Sequence, residues 1–284
     1  MIDNWRDATR ARYEKSYALI WDRIFNELKT EVRKRTEDTL WLQSASGYIF
    51  STVDVRWAMD LRLPTANSRD QLVHRLKDDM GMLDFIILTH EHEDHCDLKT
   101  IQAASEADVH WIIPEFFDKQ PLYDAGLSNR NITWIKPGDC IEIQGIRIEA
   151  FISLHFMNSQ RPGVPEMGYL IDTGNKRMLF PCDVREYAPE KLPHFDNVDI
   201  LFAHVWLGVG NALNFPWEDY LDAFCRFMNA TGAKKILLTH LYDVGRSIQD
   251  MWTYSHAGLA MDGLLSLNPA LEIVIPQVGI PHVL

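Results

Sequence analysis

The sequence predicts a single α/β domain built as two stacked sheets with helices outside. Two observations carry this. Asp84–Thr89 is an apolar run of the length of a strand covered on both faces and leads into His90, and Ile236–Thr239 reads as a strand leading into His240. The second half of the chain also repeats the strand-and-helix order of the first, with no Pro/Gly/Ser-rich linker between them. The composition agrees: 284 residues that are 46% hydrophobic and 24% charged describe an ordinary globular chain able to bury a large core.

From Asn4 to about Lys29, residues Tyr13, Tyr17, Ile20, Trp21, Ile24 and Leu28 recur at helical spacing behind Asp3 or Asn4 as N-cap. Residues 1–38 therefore read as an amphipathic helical extension, which either covers its own domain or docks on a second copy, and residues 39–284 as the main domain. The mixed charges of Arg10, Arg12, Lys15 and Glu27 mark a solvated face. Tyr48–Val53 and Val55–Asp60 form a hairpin turning near Asp54, and helical spacing around Gln71–Leu76 leads into the buried run Asp84–Thr89. Val109–Ile113 is a further buried strand. Lys136–Asp139 is a turn, followed by alternating segments through Ile148 to Leu154. Met167–Ile171 and Arg177–Phe180 flank Asp172-Thr173-Gly174-Asn175, a hairpin signal. Trp217, Tyr220, Leu221, Phe224, Phe227 and Met228 share one helical face, and Gly232 stops that helix before Ile236–Thr239.

Charge narrows the partners. Lys plus Arg number 28 against 40 Asp plus Glu, a formal charge of -12 that disfavours nucleic acid. No apolar run approaches the roughly 18 residues that span a bilayer, and Met1–Trp5 lacks the plan of a signal peptide. Cys96, Cys140, Cys182 and Cys225 form no CxxC pair, which fits reduced thiols in a cytoplasm.

The densest chemical signal is His90-Glu91-His92-Glu93-Asp94-His95, three imidazoles and several carboxylates directly after a buried strand. Imidazole and carboxylate are ligands for divalent cations, and a loop leaving a strand can turn successive side chains toward one point. His155, Asp183 and His240 sit where three further strands run out, and His204 ends the segment Asp199–Ala203.

This set, HxHxDH followed by a His, an Asp and a final His, resembles the metallo-β-lactamase superfamily over most of the chain after about Leu40. The resemblance implies a four-layer αβ/βα sandwich with two divalent metal ions: His90, His92 and His155 on one, Asp94, His95 and His240 on the other, and Asp183 bridging both. Trp41-Leu42, Val55–Asp60, Lys136–Asp139 and Gln277-Val278-Gly279 resemble the branch of L-ascorbate-6-phosphate lactonase, although at the position of His155 the lactonase presents no clear His. Zinc, manganese and iron all accept these ligands, and manganese is implied by the lactonase resemblance.

The chemistry expected of such a site is hydrolysis of a small ester, lactone or phosphorylated sugar-derived substrate by metal-activated water. Asp94 would also orient that water and take its proton, and His204 would either contact substrate or a developing oxyanion or be a core or surface histidine. Asp60 and Asp97 are candidates to orient ligand imidazoles, with helix capping the other reading of Asp97. Cys96 and Cys182 read as buried fillers. Arg185, Tyr187, Asp243 and Arg246 follow ligand-bearing strands, where an arginine suits an anionic substrate. Trp206, Phe215 and Trp217 form either a pocket wall or ordinary core. A phosphodiesterase on the same site and a non-catalytic metal-binding or ligand-sensing scaffold are the rival functions. An oxygen-reducing diiron enzyme on this fold would want a carboxylate where this chain has His92.

Overall fold

A computed structural model describes residues 2–31, 37–52, 54–63, 65–155, 157–158, 161–208, 218–243, 246, 249 and 251–284. Val53, Phe215 and Trp217 lie outside the described residues. The chain divides into two compact units, Met1–Ile135 with Gln277–Leu284, and Lys136–Pro276.

The first unit runs α1 (Ile2–Glu31), β1 (Thr39–Leu42), β2 (Tyr48–Thr52), β3 (Val55–Met59), α2 (Ala66–Met80), β4 (Phe85–Ile87), α3 (Leu98–Ala103), β5 (His110–Pro114), α4 (Lys119–Asp124) and β6 (Ile132–Ile135). The second runs β7 (Cys140–Ile143), β8 (Ile146–Ile152), the two-stranded pair β9 (Met157–Asn158) and β10 (Arg161–Pro162), β11 (Met167–Asp172), β12 (Arg177–Phe180), β13 (Ile200–His204), α5 (Glu218–Ala230), β14 (Lys235–Thr239), α6 (Tyr254–Leu267) and β15 (Glu272–Val274). The final strand, β16 (Pro281–Val283), belongs to the first unit.

Each unit holds one mixed sheet of seven strands, ordered β16-β1-β2-β3-β4-β5-β6 and β15-β14-β13-β12-β11-β8-β7. The two follow one plan. In the first, β16 through β3 pair antiparallel and β3 through β6 parallel. In the second, β7, β8, β11 and β12 pair antiparallel, and β12 through β15 parallel. The parallel strands β4 and β13 are buried along their whole length, as expected where both faces of a strand are covered. The hairpin predicted at Asp172–Asn175 is present, with Asp172 opposite Arg177 and Gly174 at φ 82°, a left-handed turn position that glycine occupies without strain. Gly232, at φ 69°, follows α5 as the predicted stop.

Helix α1 covers its own unit. Trp21, Ile24 and Phe25 are fully buried, and the rings of Trp21 and Phe25 stack at 4.6 Å. A buried carboxylate locks α1 to α2: Asp79 accepts Trp21 Nε1 at 2.9 Å, Lys29 Nζ at 2.7 Å and Arg75 Nε at 3.0 Å, while Arg75 Nη1 reaches Asp22 at 2.7 Å. Removing the carboxylate leaves a buried indole N–H and two cations without that acceptor, and the partial exposure of Lys29 and Arg75 limits the cost. Asp79→Ala is expected to lose about 3 kcal/mol of stability in urea unfolding, with Asp79→Asn losing less; equal stability of Asp79→Ala and the parent would show that the network does not hold the helix.

Candidate metal centre

Most of the site-bearing residues follow strands with a parallel neighbour, Asp60 after β3, His90 after β4, Asp183 after β12, His204 at the end of β13 and His240 after β14, while His155 follows the antiparallel strand β8. In the first unit the foundation is Asp60, fully buried directly after β3, with φ 50° and its backbone N–H donating to Ile87 O at 2.9 Å. Its Oδ1 accepts Thr89 N at 3.0 Å, and its Oδ2 accepts Thr89 Oγ1 at 2.8 Å and lies 2.7 Å from His95 Nδ1. A carboxylate on Nδ1 places the proton there and leaves the His95 Nε2 lone pair for another partner. Because the Thr89 hydroxyl proton goes to Asp60, its oxygen receives His90 Nδ1 at 3.1 Å, which leaves His90 Nε2 facing His92 Nδ1 at 3.0 Å. The two nitrogens are hydrogen-bonded here, a little closer than the roughly 3.3 Å that tetrahedral ligands at about 2.0–2.1 Å from one ion would show.

The ligand loop is braced from outside. His95 N and Cys96 N both donate to His92 O, Ser46 Oγ donates to Asp94 O at 2.8 Å, Arg62 Nη1 donates to Glu93 O at 2.6 Å, and Asp118 N donates to Glu91 Oε1 at 2.7 Å. Glu91 and Glu93, exposed within the predicted cluster, thus serve the loop, while donor atoms of His90, Asp94 and His95 lie within 4.8 Å of one another. Asp97 caps α3, accepting Lys99 N and Thr100 N, and pairs with Arg69 at 2.9 Å, so capping is the reading that holds for it. Burial, with Asp60, Glu91 and Asp97 nearby, pushes the Cys96 thiol up to about 12, which keeps it a neutral filler.

In the second unit the foundation is Asp183, fully buried after β12. Its backbone N–H donates to Glu166 Oε1 at 3.0 Å. Its Oδ1 lies 2.8 Å from His204 Nδ1 and 3.3 Å from His240 Nε2, and its Oδ2 accepts Arg185 Nη2 and, at 2.9 Å, Arg246 Nη2. Arg246 Nε also donates to Asp243 Oδ2 at 2.8 Å. Donor atoms of Asp183, His204 and His240 lie within 4.8 Å of one another. His155, after β8, donates Nδ1–H to Val164 O at 3.1 Å, so its Nε2 keeps its lone pair. Arg185 lies over the Trp206 ring at 4.9 Å, and burial lowers its pKa against the pull of Asp183. Tyr187 is packed among Trp206, Phe224 and Phe227 and donates to Trp206 O, and burial pushes its phenol up; Tyr187 and Trp206 are core around the arginine rather than an open wall.

Thr89, Glu166 and Ser46 join the site without having been predicted. Thr89 ends the apolar run before His90, and Glu166 is an acid placed directly before the apolar strand Met167–Ile171; both positions carry a legible signal. Ser46 has none. Of the other histidines, His110 pairs with Thr133, His194 with Asp196 and His256 with the cap of α6.

A family model described as "Beta-lactamase superfamily domain" matches residues 57–241, more than half of the chain. The chain belongs to this family. A metal-dependent hydrolase of Thermoplasma acidophilum is 34% identical over 110 residues, which are 38% of this chain and 46% of that protein, so the match spans about half of the relative's length. Among solved structures, a metallo hydrolase of the archaeon Ignicoccus hospitalis aligns with a TM-score of 0.63 at 14% identity, covering 88% of this chain and 99% of that one. A metallo-β-lactamase fold protein of Bacillus subtilis aligns at 0.58 with 16% identity, covering 87% and 99%. The fold is the α/β fold of the metallo-β-lactamase superfamily, as the ligand motif implied.

In this family member, Asp60→Ala strips the acceptor from the Thr89 amide, the Thr89 hydroxyl and His95 Nδ1 together. A loss of about 3 kcal/mol or more is expected at neutral pH, read by urea unfolding in the presence of a chelator. The Nδ1-protonated tautomer of His95 should also disappear from long-range ¹⁵N–¹H spectra, and its persistence would show that Asp60 does not fix the ring.

Proposed function

We propose that the chain is a dinuclear metal-dependent hydrolase acting on a small ester, lactone or phosphorylated sugar-derived substrate. The observation that carries this is the state of the imidazoles. His90, His95 and His155 each have Nδ1 engaged by a hydroxyl, a carboxylate or a backbone carbonyl, which leaves Nε2 as a donor to a cation. A scaffold with no metal would have little reason to spend buried polar acceptors in this way.

In this reading His90, His92 and His155 hold one divalent ion, Asp94, His95 and His240 the second, and Asp183 bridges them. Zinc or manganese suits the mixed nitrogen and oxygen donors best, and iron is also accommodated. Such ions supply Lewis acidity and lower the pKa of water to about 7. Asp94 orients the attacking water, accepts its proton and passes it to the leaving group. His204, with Nδ1 held against Asp183, presents Nε2 to the oxygen on which charge develops. Asp183 would serve as the shared carboxylate, with Oδ1 beside His240 Nε2 and Oδ2 held by two guanidiniums.

The lactonase branch is supported by two of its sequence pieces being neighbours: Leu42 bridges Val278, and Gly279 N donates to Leu42 O at 2.8 Å. No helix among the described residues is long and apolar enough to cross a membrane, and Cys96, Cys182 and Cys225 are buried free thiols, in keeping with a cytoplasmic site of action.

Asp94→Asn is expected to abolish hydrolysis, at least about 100-fold in kcat, in protein whose metal content is confirmed by elemental analysis. Full turnover by a metal-loaded Asp94→Asn protein would remove Asp94 from the mechanism. The parent should turn over simple lactones faster than bis-p-nitrophenyl phosphate; strong diesterase activity without lactone hydrolysis would replace this reading with a phosphodiesterase.

A further inference from the structure

The second unit carries a cleft that shares no residue with the metal centre. The segment joining β12 to β13 makes a single 3₁₀ turn, Pro189–Lys191, and its continuation faces the carboxyl end of α5 across a cavity of about 330 Å³. That is within the range of small-molecule sites, roughly 300–1,000 Å³. Leu192, Pro193, Phe195 and Phe227 supply its apolar walls, with Glu190 and Thr231 among its polar lining. Helix α5 leads into the start of β14 and His240 follows the end of that strand, so the cleft and the metal centre belong to opposite ends of the sheet.

The aromatic walls are already in place. Phe195 packs against Phe151 with ring centroids 4.9 Å apart, and the fully buried Phe227 packs against Tyr187 at 5.6 Å. The electrostatics have one sign. The last turn of α5 carries no basic side chain, and Thr231 N and Oγ1 both donate to Met228 O, at 3.3 and 2.7 Å. The carboxyl end of a helix carries partial negative charge, which favours a cation beside it. The basic groups of this stretch are taken: Lys191 pairs with Glu186, His194 with Asp196, Arg226 with Asp222 and Lys234 with Asp199. Glu190 makes no ion pair or hydrogen bond among the described residues. An anion in the cleft is repelled by Glu190 and by the helix end, and a neutral molecule gains nothing from them. An ammonium gains from both, and also from the faces of aromatic rings.

We propose that this cleft is a second binding site, separate from the hydrolytic centre, for a small organic ammonium with an apolar or aromatic body. The body lies against Leu192, Pro193, Phe195 and Phe227, and the charged head is met by Glu190 and the carboxyl end of α5.

The test titrates the full-length protein with phenethylamine, and with phenethyl alcohol and hydrocinnamate as neutral and anionic molecules of similar shape, by calorimetry and by ¹⁵N–¹H NMR. Phenethylamine is expected to bind saturably with a Kd of about 1 mM or below and to shift the amides of Ala230, Thr231 and Gly232. It should be preferred over the alcohol by about tenfold, with hydrocinnamate weaker than either. Glu190 and Ala230 are both exposed, so substitutions there leave the core intact. Glu190→Gln should weaken the amine about threefold and leave the alcohol unchanged. Ala230→Trp fills the cleft and should remove binding of both. No saturable binding of phenethylamine by the parent overturns the proposal, as do equal affinities for amine and alcohol, or amide shifts confined to other parts of the chain. Parent-like amine affinity in Glu190→Gln or in Ala230→Trp overturns it as well.

Discussion

A carboxylate taken fully out of water must be met by donors, and this constraint organises the structure at three places. Asp60, Asp79 and Asp183 are each completely buried. An isolated ionised carboxylate in such surroundings costs several kcal/mol, so each is tolerable only where distant parts of the chain deliver N–H and O–H groups to it. Asp79 draws Trp21 and Lys29 from α1 and Arg75 from α2. Asp60 draws Thr89 and His95 across the end of β3, and Asp183 draws His204, His240 and Arg246 from three later segments. The first join holds the terminal helix on its sheet, and the other two set the orientation of the imidazoles.

The backbone at these strand ends is bent to the same purpose. Asp60, Cys182, His240 and Tyr242 all have φ between 50° and 64°, the left-handed region that non-glycine residues enter at a cost. Each follows a buried strand within three residues, where an extended continuation would carry the next side chain past the end of the sheet. The left-handed residue turns the chain sharply, so that Thr239 stays in the ladder while His240 lies against Asp183. Such strain persists only where the surroundings hold it. Here the holding groups are the strand ladders on one side and the buried carboxylates on the other.

Much of this was legible from residue order. The runs Asp84–Thr89 and Ile236–Thr239 read as strands from their apolar texture, and β4 and β14 form there with His90 and His240 in the segments that follow. What escaped was of two kinds. Edge elements such as β6, β15 and β16 are short and half-exposed, with no periodicity long enough to read. The partners of site residues are also set by register between distant strands, which no local pattern encodes: nothing in the order of residues says that Val164 O will meet His155, or that Ser46 will brace Asp94. Asp97 stands between these cases. A carboxylate three residues before Thr100 is an ordinary N-cap signal, and its nearness to the ligands invited a second role, whereas the bonds it makes are to Lys99 N and Thr100 N.

The two site carboxylates differ in the kind of donor they are given, and this difference separates a fixed element from an exchangeable one. Asp60 is met by an amide, a hydroxyl and an imidazole, all short groups anchored on the loop that they orient. None of them gains by leaving, because each would become a buried donor without an acceptor. Asp183 is met on one oxygen by imidazoles and on the other by two guanidiniums, of which only Arg185 is enclosed. Arg246 has a second acceptor in Asp243 and some access to water, so loosening its hold on Asp183 leaves neither partner stranded. The first unit thus presents imidazoles whose donors meet one enclosed carboxylate, and the second presents a carboxylate shared between imidazoles on one oxygen and guanidiniums on the other.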